Sequence, residues 1–405
     1  MNKKIAIIIS PNYKDYARKY LAECAASIRK QDYAGEMKIF ITDNESTEES
    51  YGYVRSVLSE EKTSLTPPPR QAEGETGLLK GGKMQPPLPP LPERQYEIAR
   101  NKNNDGFAKG NNDAIKKALE QAFDYVFCLN MDAVLESNCV RKMMEAVNPP
   151  DPPLEGGQIG AAQARLMLYD NRNKINSLGN VTHIFGFGYA LGYGEEYGGP
   201  HPNPRPDIGL AGLLSKEREI CYPSGAAVLF TAEVLKKVGL FDEEFWMYNE
   251  DQDLGWRIWL AGYRCVLAND AVAYHKYEFS RSLKKYYFMD RNRIMAMLKN
   301  YHLLTLILIS PAFIVMELGL LFFAARGGWF KEKFKVYKYF LSLKNWRYIL
   351  KVRKQVQGLR RVKDREIVRL FSGKIWYQEI DSQQLKISNV IFNAYWRVAK
   401  VLIRW

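Results

Sequence analysis

The chain opens with five apolar residues in a row, 5–9, inside KIAIIISPNY. A run that short, closed by Ser-Pro-Asn, reads as a buried strand and not as the core of a signal peptide. YARKYLAECAASIRKQ follows, with apolar residues at helical spacing, and MKIFITDN returns to a continuous apolar strand. The rhythm repeats: GNNDAIKKALEQA as helix, DYVFCLNMD as strand, CVRKMMEAV as helix and IGAAQARLML as strand. Such alternation predicts the α/β class, a mostly parallel sheet covered by helices. Two strands end in polar groups, Asp43 with Asn44 and Asn130 with Asp132. In open α/β sheets the carboxyl ends of the strands form the ligand crevice.

Two other textures interrupt this pattern. Sixteen of the nineteen prolines fall into three clusters, 67–92, 149–153 and 200–206. The first lies in a stretch with little periodicity, which predicts a flexible proline-rich insertion over about 62–94. Beyond residue 302, LLTLILISPAFIVMELGLLFFAA (303–325) runs for 23 residues with one acid, Glu317, and one proline, Pro311. It is long enough to cross a bilayer. Both of its flanks are basic, unlike the one-sided bias of a spanning helix, so an interfacial helix or a hairpin is an equal reading. A buried core helix followed by a solvated basic helix is the alternative to membrane contact.

Charge sharpens the division. Residues 281–405 hold 26 Lys/Arg against 7 Asp/Glu, a net of +19, whereas residues 1–280 carry a net of −6. A mildly acidic body with a strongly basic tail suits an anionic partner, a membrane surface or a nucleic acid. No nucleic-acid fingerprint appears, and the cations are interleaved with apolar stretches, which favours an anionic membrane surface over nucleic acid. The five cysteines are scattered with no CxxC spacing, which fits a reducing compartment and argues against a disulfide framework or a zinc site.

Candidate chemistry concentrates in three places. The end of DYVFCLNMDAV delivers Asn130 and Asp132, suited to a hard divalent cation, although strands often end in such turn formers. In NNDGFAKGNND, Gly106 and Gly110 would let backbone approach a ligand, while Asn112 or Asp113 could serve only as a helix N-cap. The densest segment is VGLFDEEFWMYNEDQDLGWR, with Glu250, Asp251 and Asp253 within four residues behind an aromatic loop at 245–248. Acids at a helix start are stabilised by the helix dipole, which needs no chemistry. An aromatic wall, however, excludes water and raises a carboxylate's pKa, which suits a general base.

Seven segments, in order, resemble the family 2 inverting glycosyltransferases, in particular the bacterial rhamnosyltransferase-like branch. They are IAIIISPNY, ITDNEST, NNDGFAKGNN, LNMDA, YPSGAAVLF, VGLFDEEFWMYNEDQDLGWR and the histidine after AVAY, across about 4–276. The resemblance implies a GT-A-type fold over residues 1–280 and a basic, partly hydrophobic, membrane-associated helical region over 281–405. It implies that Ser10, Asn12, Tyr13, Asp43, Asn104, Gly106, Phe107, Gly110, Asn130 and Gly225 surround the nucleotide and donor. Asp132 matches the second acid of the family's DxD motif, with Asn130 in place of the first, and His275 matches a later metal-ligand histidine. Asp251, second acid of the "ED" pair, matches the catalytic base. Glu250 would assist it, and Asp253 would cap the next helix or pair with Arg257. The expected cofactor is Mg²⁺ or Mn²⁺. The expected donor is dTDP- or UDP-linked, the acceptor a glycan or lipid-linked glycan, and the location the cytoplasmic face of the cell membrane. A nucleotidyltransferase making sugar nucleotides would share the sheet, but it needs a glycine-rich basic loop after the first strand, where this chain has SPNYKDY.

Overall fold

The computed structural model describes residues 3–59, 95–149, 157–198, 217–277, 283–376 and 383–405. The proline-rich insertion expected at 62–94 lies outside the described residues, as do most of the other two proline clusters and the expected boundary at 280/281.

Strands β1 (Ile5–Asn12), β2 (Met37–Asn44), β3 (Tyr96–Asn101) and β4 (Tyr125–Leu129) carry the first half of the sheet. The second half comes from β5 (Ala133–Leu135), β6 (Ile159–Leu168), β7 (Ile175–Ser177), β10 (Glu217–Glu219), β11 (Ala227–Thr231) and β12 (Arg264–His275). Strands β8 (Asn180–Thr182) and β9 (Gly188–Ala190) pair separately. The main order is β10-β12-β6-β11-β4-β1-β2-β3, with β5 on β12 and β7 on β6. Strands β4, β1, β2 and β3 run parallel, and β12 runs parallel to β6. Strand β11 is antiparallel to both neighbours. The predicted α/β class is what the chain adopts: a mixed sheet, parallel through its N-terminal half, with helices on both faces.

The unbroken apolar run of β1 follows from that arrangement, because both of its faces are covered. Ile5, Ile7 and Ile9 pack with Leu21 and Cys24 of α1 (Tyr16–Arg29) and Met143 of α4 (Cys139–Val147). Ala6 and Ile8 face Ile115 and Ala118 of α3 (Gly106–Glu120), in the core that also takes Phe40 of β2. Helix α2 (Glu48–Ser59) buries Val54 and Leu58 beside α1.

Helix α3 starts four residues before the expected position. Asn112 and Asp113, weighed as N-caps, therefore sit inside it. Asn112 instead pairs with the backbone of Phe241, donating to its carbonyl (2.8 Å) and accepting from its N–H (3.1 Å). Helix α5 (Ala232–Val238) is capped at both ends: Thr231 Oγ1 accepts from the Val234 N–H (3.1 Å), and Gly239 at φ +82° ends it.

Helix α6 (Glu250–Leu260) is buried nearly all round, so it carries no amphipathic signature. Helix α7 (Lys284–Asn300) packs against it, followed by α8 (Leu303–Arg326), α9 (Phe330–Phe340), α10 (Leu343–Leu359), α11 (Asp364–Val368) and α12 (Gln383–Leu402).

Candidate active site

At the carboxyl ends of β4 and β1 the sheet opens into a cavity of about 530 Å³. That volume falls within the range of small-molecule sites. Its lining brings together Phe107, Asn130, Asp132, Gly225, Glu250, Asp251 and His275, which in sequence span 169 positions. Two carboxyl centres face each other's space there, and they differ in chemistry.

The first centre is Asp132 with His275. His275 ends β12, and its Nε2 lies 3.1 Å from Asp132 Oδ1. The other ring nitrogen, Nδ1, lies 3.0 Å from Asn176 Oδ1 on β7. With that amide oxygen as acceptor, Nδ1 carries the proton. Nε2 and the Asp132 carboxylate are then two electron-pair donors facing one another, an arrangement that takes a proton or a cation between them. Tyr16 donates its hydroxyl to the other oxygen, Oδ2 (2.8 Å). Burial opposes the ionised Asp132, but with the proton in place on Nε2 the hydrogen bond and charge of His275, together with the Tyr16 hydroxyl, outweigh it and hold the carboxyl below its ordinary range. Asn130 lines the same cavity, and its Oδ1 is buried with no hydrogen-bond partner among the described residues. These donors fit a hard divalent cation. Among the described residues no three His, Cys, Asp or Glu side chains converge as a metal-holding group, so the remaining coordination would come from substrate oxygens and water.

The second centre is Glu250 with Asp251, the first two residues of α6. Asp251 Oδ2 accepts from the Gly225 N–H (3.2 Å) and Oδ1 from the Gln252 N–H (2.8 Å), which fixes the carboxylate plane. Burial pushes Asp251 up to about 6 despite those donors. Burial also raises Glu250 well above its ordinary value, with the Asp251 charge adding to the effect. Glu250 is 6% exposed, and its Oε2 has no partner among the described residues. A helix N-terminus contributes about 0.3–1 kcal/mol to an anion. Desolvating an unpaired carboxylate costs several kcal/mol, so burial decides the sign.

Asp253, the third acid, behaves oppositely. It is fully buried, but Arg257 Nε (2.9 Å), Lys299 Nζ (2.9 Å) and Asn300 Nδ2 (2.9 Å) surround it. Burial opposes its charge, and Lys299 and Arg257 overcome that and hold it below the ordinary range. Arg257 also donates to the carbonyls of Val238 and Leu240, tying α6 to the end of α5.

The loop before α6 is held under strain. Trp246, Tyr248 and Asn249 all adopt positive φ, at 62°, 67° and 63°. Three such non-glycine residues in four positions require surroundings that enforce them. Asn292 of α7 supplies one clamp, donating from Nδ2 to the carbonyls of Phe245 (2.9 Å), Met247 (2.9 Å) and Tyr248 (2.7 Å). Arg291 holds the Glu244 carbonyl (2.6 Å). Of the expected aromatic wall, Tyr248 lines the cavity, whereas Phe245 is buried and Trp246 stacks on Phe288 at 4.9 Å.

The other expected donor contacts stand behind the cavity wall. Ser10 accepts from the Met131 N–H (2.9 Å), joining the end of β1 to the turn that carries Asp132. Asn12 and Asp43 are fully buried and bonded to each other (Nδ2 to Oδ1, 2.7 Å), while Arg100 Nε reaches Asp43 Oδ2 at 3.3 Å. Asn104 accepts from the Gly106 N–H (3.1 Å). A Cβ at Gly106, whose φ is +82°, would fall 2.5 Å from the Trp246 ring, and one at Gly110 would fall 2.4 Å from Pro11. Tyr13 is 39% exposed at the β1–α1 turn. Tyr16, Asn176, Tyr222 and Asn292 are additions that the sequence motifs did not indicate. Tyr16 had a signal in its position just past a strand's carboxyl end, and Tyr222 in opening the segment YPSGAAVLF, where Gly225 alone was singled out; Asn176 and Asn292 lie in segments that carried no such signal.

No protein-family model matches the chain, and no curated protein matches it in sequence. Solved structures with a similar course of chain include GalNAc-T7 with UDP, GalNAc and Mn²⁺, at 10% identity and a TM-score of 0.49. That likeness covers 74% of this chain and 48% of the other, so the chain spans about half the length of GalNAc-T7. S. aureus TarS 1–349 in complex with UDP is 15% identical, with a TM-score of 0.45 over 99% of this chain and 91% of that one. Mannosyltransferase PcManGT from Pyrobaculum calidifontis, in complex with GDP-Man and Mn²⁺, is 13% identical, with a TM-score of 0.44 over 100% and 88%.

Proposed function

We propose that the chain is an inverting glycosyltransferase of GT-A type, family 2-like, using a nucleoside diphosphate sugar. The observation that carries this reading is the opposed pair of carboxyl centres on one cavity, one held ionised beside a histidine and one raised toward neutrality. Sugar transfer from a diphosphate needs both: negative ligands where the leaving diphosphate sits, and a base whose pKa lies near the working pH.

In this reading Asp251 accepts the proton of the acceptor hydroxyl as that oxygen attacks the anomeric carbon. The Gly225 and Gln252 N–H groups keep its carboxylate aimed while it does so. Glu250, pushed toward its neutral form by burial and by the Asp251 charge, limits the negative charge in the same space. A divalent cation, Mg²⁺ or Mn²⁺, would be held by Asp132 and His275 and would offset the charge of the departing diphosphate. Asn176 fixes the imidazole and Tyr16 the carboxylate. Tyr222, Tyr248 and Phe107 line the cavity and limit water.

The donor class is a dTDP- or UDP-linked rhamnose or hexose, the acceptor a glycan or lipid-linked glycan of cell-surface polysaccharide, and the place of work the cytoplasmic face of the membrane. The seven sequence segments in family order and the basic, apolar tail support these finer points. A donor panel tests the reading: purified chain with Mn²⁺ or Mg²⁺ releases nucleoside diphosphate from at least one nucleotide sugar. Pyrophosphate release from a nucleoside triphosphate instead would make it a nucleotidyltransferase.

A further inference from the structure

Helix α8 is 24 residues long and apolar enough to cross a bilayer, yet it is tied to the body at points near its start, middle and end. Near its start, Thr305 donates to Asp364 Oδ2 (2.5 Å) and accepts from Trp405 Nε1 (2.8 Å). In its second half, Glu317 accepts from Arg293 and from Lys333 Nζ (2.6 Å), two cations that are themselves buried and shared with Asp290. Near its end Ala324 is fully buried. Thr305, Ile309, Met316 and Ala324 recur at helical spacing as one buried stripe.

The opposite stripe is bare. Leu304, Ile307, Ile314, Leu318 and Phe322 are each 46% exposed or more. Helix α12 lies beside α8, with Tyr395 donating to the Leu308 carbonyl, and it repeats the pattern: Ile387, Val390, Ile391, Val398 and Val401 are 55–69% exposed. On α9, Phe330 and Phe334 are exposed between the exposed Lys331, Lys335 and Lys338.

From this we infer that α8 does not span a membrane; α8, α9 and α12 form a monotopic docking face that lies in the plane of one anionic phospholipid leaflet. The inference rests on the proposal that the chain works at a membrane surface, and it specifies how. A spanning pose would draw Glu317 away from Arg293 and Lys333 and leave the two buried cations to share Asp290, an imbalance of charge that buried groups tolerate poorly. Charge selects the occupant. Lysines and arginines interleaved with aromatics match anionic headgroups above an apolar layer. A second copy would bring the same excess of cations against itself across a symmetric interface.

The five native cysteines are buried, so introduced ones can be labelled selectively. The full-length chain is prepared as Ile307→Cys, Ile314→Cys and Phe322→Cys, each carrying a depth-sensitive fluorophore. Each is mixed with phosphatidylglycerol-containing or pure phosphatidylcholine vesicles. The expected result is binding about tenfold or more tighter to the anionic vesicles, weakened by salt, with all three labels at one shallow depth. A label at 314 in the bilayer centre with 307 and 322 nearer opposite surfaces would mean a span and overturn the inference. Absence of vesicle binding together with a stable dimer in solution would assign the face to a second copy and also overturn it. Nucleoside diphosphate release, measured on the same preparations without vesicles, reports the transferase reading separately.

Discussion

Asp132 and Asp251 line one cavity and are the same residue type, yet their surroundings drive them in opposite directions. Both lose solvation. Asp132 regains more than it loses, from His275 and the Tyr16 hydroxyl, and is held below its ordinary range. Asp251 has only backbone N–H donors and a second acid beside it, and it rises to about 6. The difference teaches that burial does not assign a role to a carboxylate; the charge of its nearest partner does. Asp253 makes the point within one helix turn, since two cations hold it low while Glu250 and Asp251 rise. Two acids pushed apart in this way are the signature of divided labour in a site.

Four substitutions break the comparison, with falling effect. Asp251→Asn removes the proposed base and keeps the shape, so turnover drops by about 10²–10⁴-fold, while calorimetry finds donor binding unchanged. Asp253→Ala leaves Arg257 buried without its anion and Lys299 with Asp242 as its acid, and lowers stability by about 3–5 kcal/mol in urea titrations. Asn176→Ala frees the His275 ring and weakens Mn²⁺-dependent nucleotide binding by about 10–100-fold, leaving metal-free binding unaltered. Glu250→Gln goes the other way. A carboxyl whose folded pKa is raised contributes stability at low pH that is lost as pH climbs through its folded value. The amide never ionises, so this protein is more stable than the native chain at pH near 7, by about 1 kcal/mol.

Much of this architecture was legible in the sequence, for identifiable reasons. Strands β2 and β6 and helix α4 were read to the residue, because their apolar runs and periodicity agree with what they bury. Helix α3 was read late, since Gly106 at positive φ looks like loop until the Trp246 ring above it is seen. Asp132, His275, Glu250 and Asp251 were singled out through residue type and family order, and the structure brings them to one cavity; of the two expectations for Asp253, a helix cap or a pair with Arg257, the pair is present. How the first centre closes was not legible, because it depends on β5 and β12 pairing antiparallel to bring His275 back to Asp132. Asn292 was equally hidden: its target is three backbone carbonyls, which leave no trace in residue types. The proline-rich insertion remains an expectation from composition, outside the described residues.

The most direct measurement of the central claim is the pH dependence of kcat/KM for sugar transfer at saturating Mn²⁺. If Asp251 is the base, the value climbs with pH as the buried acid pair loses its proton and levels off above about 6, because Asp132 stays ionised throughout; Asp251→Asn loses that limb. A profile flat down to pH about 5, or one whose limb survives in Asp251→Asn, would contradict the assignment.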